Sequence, residues 1–174
     1  MGSLGLDRLV DVQALESLLT QLALALKERH MMLVTAESCT GGLVAGACTS
    51  IAGSSDWFER GFVTYSNEAK VEQLGVPAEV IERHGAVSRE VVIAMALGAL
   101  QRSHGQISVA VTGIAGPGGA TVRKPVGTVW FALARGQNFV ETECMLFPGD
   151  RTKIRASATR HALKRVLKLA TAAL

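Results

Sequence analysis

Ser38 stands in the run Glu37-Ser38-Cys39-Thr40-Gly41-Gly42, directly after a short apolar segment. A hydroxyl at such a strand-to-helix turn is presented to a cleft. The helix start beside it offers unpaired N–H groups and a positive dipole end, which stabilise an alkoxide or a developing oxyanion. Serine still needs a base, because its hydroxyl is almost never ionised near neutral pH. Glu37 is adjacent, but neighbouring strand residues point to opposite faces, so a structural or hydrogen-bonding role suits it better. His30, His84 and His104 fall near predicted helix C-termini and His161 falls on the last helix. Those positions suit structural roles, and the four lack metal-like pairing, so no catalytic zinc or other metal site is expected. Lys70 remains as a candidate base. Tyr65 and Lys70 flank one strand-to-helix turn, and Tyr65 could relay or orient a proton. A lysine acts as a base only where burial or a neighbouring cation lowers its pKa. On spacing alone, Ser38 also reads as a helix cap and Lys70 as a solvated surface lysine. Cys39 is a rival nucleophile if the helix start lowers its thiol pKa, and otherwise a small buried apolar residue.

A second loop resembles the first in composition: Thr112-Gly113-Ile114-Ala115-Gly116-Pro117-Gly118-Gly119. Glycines let backbone N–H groups approach a ligand, and in open α/β sheets ligands bind beyond the carboxyl ends of the strands. Neither loop fits the Walker or Rossmann pattern, and both could equally be tight turns.

The elements that must position these loops follow from periodicity. An N-terminal helix is expected over about residues 7–29, clearest from Ala14 to Arg29, where Leu15, Leu18, Leu19, Leu22 and Leu26 recur at helical spacing. Met31 to Ala36 reads as a buried strand, and a small-residue helix follows from Leu43 to about Ile51. A second strand is expected at Gly61 to Tyr65. A helix then runs from Asn67 through Lys70 to Leu74, and another runs from Pro77 to Gly85. Ser88 caps a long helix to about Ser103. Strands are expected at Ile107 to Val111, Gly127 to Ala134 and Phe139 to Phe147, the last two joined by a hairpin at Gly136-Gln137-Asn138. Asp150 caps a final helix from Arg151 to about Leu174. This order implies a three-layer α/β/α sandwich with a mixed, mostly parallel sheet and one antiparallel strand.

Bulk composition sets the outer limits. The chain has 174 residues and suits a single domain over residues 1–174, with a core from about residue 30. A net charge of +3 with a pI near 9.0 suits an anionic small ligand and equally suits ordinary solubility. Lys153, Arg155, Arg160, Lys164, Arg165 and Lys168 on the last helix lack interleaved aromatics, so a solvated face suits them better than a nucleic-acid stripe. Three cysteines, an odd number, point to a reduced cytoplasmic protein, and no run of about 18 apolar residues spans a membrane.

Several blocks, in order, resemble the nicotinamide-nucleotide amidase family, the C-terminal domain of CinA proteins. They are Thr35-Ala36-Glu37-Ser38-Cys39-Thr40-Gly41-Gly42, Ile51-Ala52-Gly53-Ser54-Ser55-Asp56-Trp57-Phe58, Arg60 to Lys70, His84-Gly85-Ala86-Val87-Ser88, Thr112 to Pro117, and Lys124-Pro125-Val126-Gly127-Thr128-Val129-Trp130. The resemblance implies hydrolysis of nicotinamide mononucleotide to nicotinate mononucleotide and ammonia, in pyridine-nucleotide salvage, without a cofactor. It implies a Ser–Lys dyad of Ser38 and Lys70 with Tyr65 nearby. Substrate contacts are then expected from Glu37, Thr40, Gly41, Gly42, Thr112, Gly113 and Gly116. A homodimer is the expected assembly for an α/β enzyme of this size. The alternatives are a non-catalytic nucleotide-binding module and a DNA-associated competence or stress protein.

Overall fold

Five strands line up in the order β2-β1-β3-β4-β5 to make one sheet among the described residues, which are 3–136 and 138–172 of this computed structural model. In chain order the elements are α1 (Ser3–Glu28), β1 (Leu33–Glu37), α2 (Leu43–Cys48), β2 (Phe58–Val63), α3 (Asn67–Leu74), α4 (Ala78–His84), α5 (Arg89–Gln101), β3 (Ile107–Gly113), β4 (Thr128–Arg135), β5 (Phe139–Leu146) and α6 (Arg151–Thr171). β1 pairs in parallel with β2 and β3, and β4 pairs antiparallel with both β3 and β5. One strand, β4, therefore runs against the other four, as the element order implies.

Side-chain alternation separates two cores. Ile107, Val109 and Val111 of β3 face a cluster built with α1, α2 and α6, which includes Leu19, Leu22, Leu26, Ile154 and Leu163. Each such fully buried leucine contributes about 1.5–3 kcal/mol of transfer free energy. On the other face, Val34, Ala36, Ala110, Ala132 and Ala134 meet Val91, Val92, Met95 and Ala99 of α5. The strand residues there are mostly alanine, so α5 lies close to the sheet, and the Ser108 hydroxyl reaches the Ala96 carbonyl at 2.8 Å.

Several boundaries differ from the sequence reading, among them β1, which covers Leu33–Glu37 rather than Met31 to Ala36, and β2, which ends at Val63 rather than Tyr65; three further differences have a local cause. β2 begins at Phe58 rather than Gly61, because it pairs with β1 from Leu33↔Phe58 and the Trp57 carbonyl already accepts the Leu33 N–H at 2.7 Å. α2 stops at Cys48 rather than Ile51. There the Thr49 and Ser50 hydroxyls bond to the Ala45 and Ala47 carbonyls, in competition with a further helical turn. β3 continues to Gly113 because β4 pairs with it as far as Gly113↔Val129, so Thr112 and Gly113 end a strand rather than open a loop. Gln137 of the expected hairpin and Leu174 of the expected last helix lie outside the described residues.

Candidate active site

β1 delivers Ser38 to the carboxyl edge of the sheet. Its N–H donates to the Val111 carbonyl of β3 at 2.9 Å, so the serine leaves the strand still tied to its neighbour. On the other side of β1, the chain leaves β2 and enters α3, with the Ser66 hydroxyl accepting the Ala69 N–H as N-cap. Helical side chains lean back over the preceding turn, which carries Lys70 toward Ser38. The Lys70 Nζ lies 3.1 Å from Ser38 Oγ, 2.9 Å from the Thr64 carbonyl, 3.3 Å from that of Ser66 and 3.4 Å from that of Tyr65. Lys70 is only 1% exposed, and burial holds its pKa below the ordinary lysine value, with Glu68 pulling the other way. The two residues expected to form a dyad are thus in direct contact.

Tyr65 sits at the rim, well exposed. Its hydroxyl accepts a hydrogen bond from Arg151 Nη2 at 2.7 Å, and the Ser38–Lys70 contact is made without a phenol between them. Cys39 departs from the expectation for a helix start. Burial pushes its thiol up to about 11, against the opposing pull of its own and the Thr40 N–H groups and of Arg155. A protonated thiol at neutral pH is a poor nucleophile.

The four binding candidates beside Ser38 are engaged inside the turn. Glu37 is fully buried, and its carboxylate accepts N–H groups from Gly42 (3.0 Å), Val44 (3.0 Å) and Ala45 (2.8 Å) and the Thr35 hydroxyl (3.3 Å). It therefore neutralises the start of α2, where the sequence suggested an open anion site. The Gly41 N–H bonds back to the Ser38 carbonyl at 3.0 Å. Gly41 and Gly42 take φ of 60° and 93°, values that disfavour any side chain. Thr40 is fully buried, and its carbonyl accepts from Arg155 Nη2 at 2.8 Å.

Opposite this turn, Thr112, Gly113 and Ala115 form the other wall of a cleft of about 220 Å³ that contains Ser38 and Lys70. Thr112 donates its hydroxyl to the Ala86 carbonyl at 2.9 Å, and the Gly116 carbonyl accepts from Arg151 Nη1 at 2.9 Å. Arg151 also lines the cleft and places a guanidinium beside it. Asn67, Ala86 and Val87 line it too. None of these four was singled out from the sequence. For Arg151 a signal existed: α6 has no acidic residue in its first turn, and cations are disfavoured at a helix N-terminus unless something else holds them. The basic stripe of α6 is correspondingly broken. Arg151 and Arg155 turn into the site, and Arg165 pairs with Glu141 at 2.7 Å and Glu143 at 2.5 Å. Among the described residues, no group of three or more His, Cys, Asp or Glu could hold a metal ion, and no helix is long and apolar enough to cross a membrane.

An open-sheet α/β/α protein with a buried lysine against a serine at the carboxyl edge is the class defined so far. Comparison with known proteins narrows it: the chain belongs to the CinA C-terminal domain family, whose model matches residues 15–170. It is 55% identical over 146 residues to the nicotinamide-nucleotide amidohydrolase PncC of Escherichia coli, covering 83% of this chain and 87% of that one. It is 52% identical to a CinA-like protein of Akkermansia muciniphila, covering 82% of this chain and 34% of the longer relative. The crystal structure of the competence/damage inducible protein CihA from Agrobacterium tumefaciens superposes with a TM-score of 0.87 at 47% identity, over 89% of this chain and 94% of that one.

Proposed function

We propose that this protein is an amidohydrolase that converts nicotinamide mononucleotide to nicotinate mononucleotide and ammonia by a Ser–Lys mechanism, returning the product to pyridine-nucleotide synthesis. The observation that carries the reading is the 3.1 Å contact between Ser38 Oγ and the buried Lys70 amine. Relatives at 55% and 49% identity named nicotinamide-nucleotide amidohydrolase supply the substrate class.

A neutral amine has two hydrogens and one lone pair. In Lys70 the hydrogens go to the Thr64 and Ser66 carbonyls, and the lone pair faces the serine hydroxyl. As Ser38 Oγ attacks the carboxamide carbon, its proton passes to Lys70. The carbonyl oxygen becomes an oxyanion. Lys70 then gives the proton to the departing nitrogen, the C–N bond breaks, and ammonia leaves. Water, deprotonated by Lys70, hydrolyses the acyl-enzyme to the nicotinate carboxylate.

The start of α2 is closed to the oxyanion by Glu37. From Ser38 to Gly46, the N–H groups that donate to no carbonyl or carboxylate oxygen among the described residues are those of Cys39 and Thr40, which lie against the Cys39 thiol instead. These two hold the oxyanion, and a donor of this kind is typically worth about 3 kcal/mol in the transition state. The cleft is smaller than the range of about 300–1,000 Å³ usual for ligand pockets, so it takes the pyridine carboxamide and leaves the phosphate outside. Arg151, braced on Tyr65 at the rim, meets that phosphate. Thr112, Gly113 and Gly116 shape the wall beside the ribose. The enzyme works in the cytoplasm as a symmetric dimer, a state that light scattering tests against the 18.3 kDa monomer.

An ammonia-release assay over pyridine nucleotides and simple amides is the test. Wild-type protein should act on nicotinamide mononucleotide, and Ser38→Ala and Lys70→Ala should be silent while still folded. Retained activity in Ser38→Ala would remove the nucleophile.

A further inference from the structure

α6 reaches across more than a hundred positions of sequence to grip the turn that holds the nucleophile. Arg155 Nε donates to the Cys39 carbonyl at 3.1 Å, and its Nη2 donates to the Thr40 carbonyl at 2.8 Å. Two consecutive peptide units are thereby held by one rigid guanidinium, whose planar fork fixes directions as well as distances.

Direction matters because a trans peptide is planar, with its C=O and N–H pointing opposite ways. The Cys39 carbonyl points at Arg155, so the Thr40 N–H points away from α6. The Thr40 carbonyl also points at Arg155, so the Gly41 N–H points away, and it bonds to the Ser38 carbonyl at 3.0 Å. That bond in turn fixes the peptide unit carrying the Cys39 N–H. One side chain thus sets, directly or through one further bond, the aim of both N–H groups in the turn that donate to no protein oxygen. Its positive charge also polarises the two peptide units it holds, which strengthens the Thr40 N–H as a donor.

We infer that Arg155 is a positioning residue for amide hydrolysis: from α6 it aims the Cys39 and Thr40 N–H groups at the oxyanion formed on Ser38. The inference rests on the amidase reading above. Arg155 touches neither the serine hydroxyl nor the lysine amine, so its contribution falls on the transition state rather than on substrate binding.

Steady-state kinetics on the full chain with nicotinamide mononucleotide test this. In Arg155→Met, kcat should fall by about 100-fold, the scale of losing an oxyanion donor, while KM changes less than threefold. In Arg155→Ala, added guanidinium ion should restore at least about a tenth of the lost kcat, a recovery that general structural damage would not allow. Should both variants fail to fold, Arg155→Lys carries the test, because its ammonium can reach only part of the fork's geometry, and a loss of about tenfold in kcat at unchanged KM is expected. A kcat near wild type in a folded variant, or a loss confined to KM, would overturn the inference and leave the amidase reading intact. Wild-type protein releasing no ammonia would remove the amidase reading, and the inference with it.

Discussion

Two glycine-rich segments leave neighbouring parallel strands at the same edge of the sheet, and they are built to different standards of rigidity. The segment after β1 encloses a buried carboxylate, Glu37, that accepts three backbone N–H groups, and Arg155 pins two of its carbonyls. The end of β3 and the segment after it are held by lighter side-chain ties, a Thr112 hydroxyl on Ala86 and Arg151 on Gly116, beside the backbone bonds of Ile114 to Thr128 and Gly127. Arg151 and Arg155 are four apart on α6, so one face of one helix serves both loops. Glycine content is the same signal in each. What separates them is the number of charged groups committed to holding the backbone still, and that number is highest around the residue proposed to react.

The contrast can be broken at several points. The largest effect belongs to the pair proposed to react: Ser38→Ala or Lys70→Met should lower kcat by about 10³-fold or more without loss of fold, as judged by single-turnover kinetics and circular dichroism. Glu37→Gln should cost about 1.5–3 kcal/mol in denaturant unfolding, because bonds to a charged acceptor become neutral ones, whereas Thr112→Val, at the strand end that leads into the other loop, should cost about 1 kcal/mol. Equal costs would mean the two loops are alike. Arg151→Met should raise KM about tenfold with kcat nearly unchanged, the mark of a group that binds substrate and transition state equally. A drop confined to kcat would place Arg151 with Arg155 instead. The smallest effect is expected at Gly118, where an added Cβ meets nothing within 4 Å: Gly118→Ala should stay within about 0.5 kcal/mol of wild type.

Acidity offers a separate handle on the first loop. Burial lowers the Lys70 pKa, so the folded protein binds fewer protons than the unfolded chain between the two pKa values. Stability from this group is therefore lowest below the folded-state pKa and rises with pH toward the unfolded value. Activity has the same sign. kcat/KM should climb with pH through an apparent pKa below 10.5, and a flat profile would show that Lys70 is not the base.

The element order, the α5 N-cap at Ser88 and the α6 cap at Asp150 were all legible, because hydrophobic period and capping chemistry are local properties. Ser38 and Lys70 were legible as letters of a family pattern, not as a pair in space. Periodicity says nothing about which way a lysine folds once its helix is capped. Arg155 read as part of a solvated basic face. Its partners are backbone carbonyls far away in sequence, and carbonyls leave no mark in an amino-acid string. Glu37 was legible as a structural or hydrogen-bonding residue, and only the resemblance made it a substrate contact; its partners stayed hidden because they depend on α2 starting with its N–H groups turned inward, beside the left-handed backbone at Gly41 and Gly42. Cys39 went the other way from its local rule because α6 and the sheet bury it.

The reach of α6 back to residue 39 has a consequence for how the protein is made. A ribosome delivers Ser38 and Lys70 early and Arg155 late, several seconds apart at roughly 5–20 residues per second. A nascent chain therefore carries the proposed nucleophile and base before it carries the arginine that holds the Cys39 and Thr40 carbonyls. On the proposed mechanism, synthesis of residue 155 completes a turn made more than a hundred residues earlier.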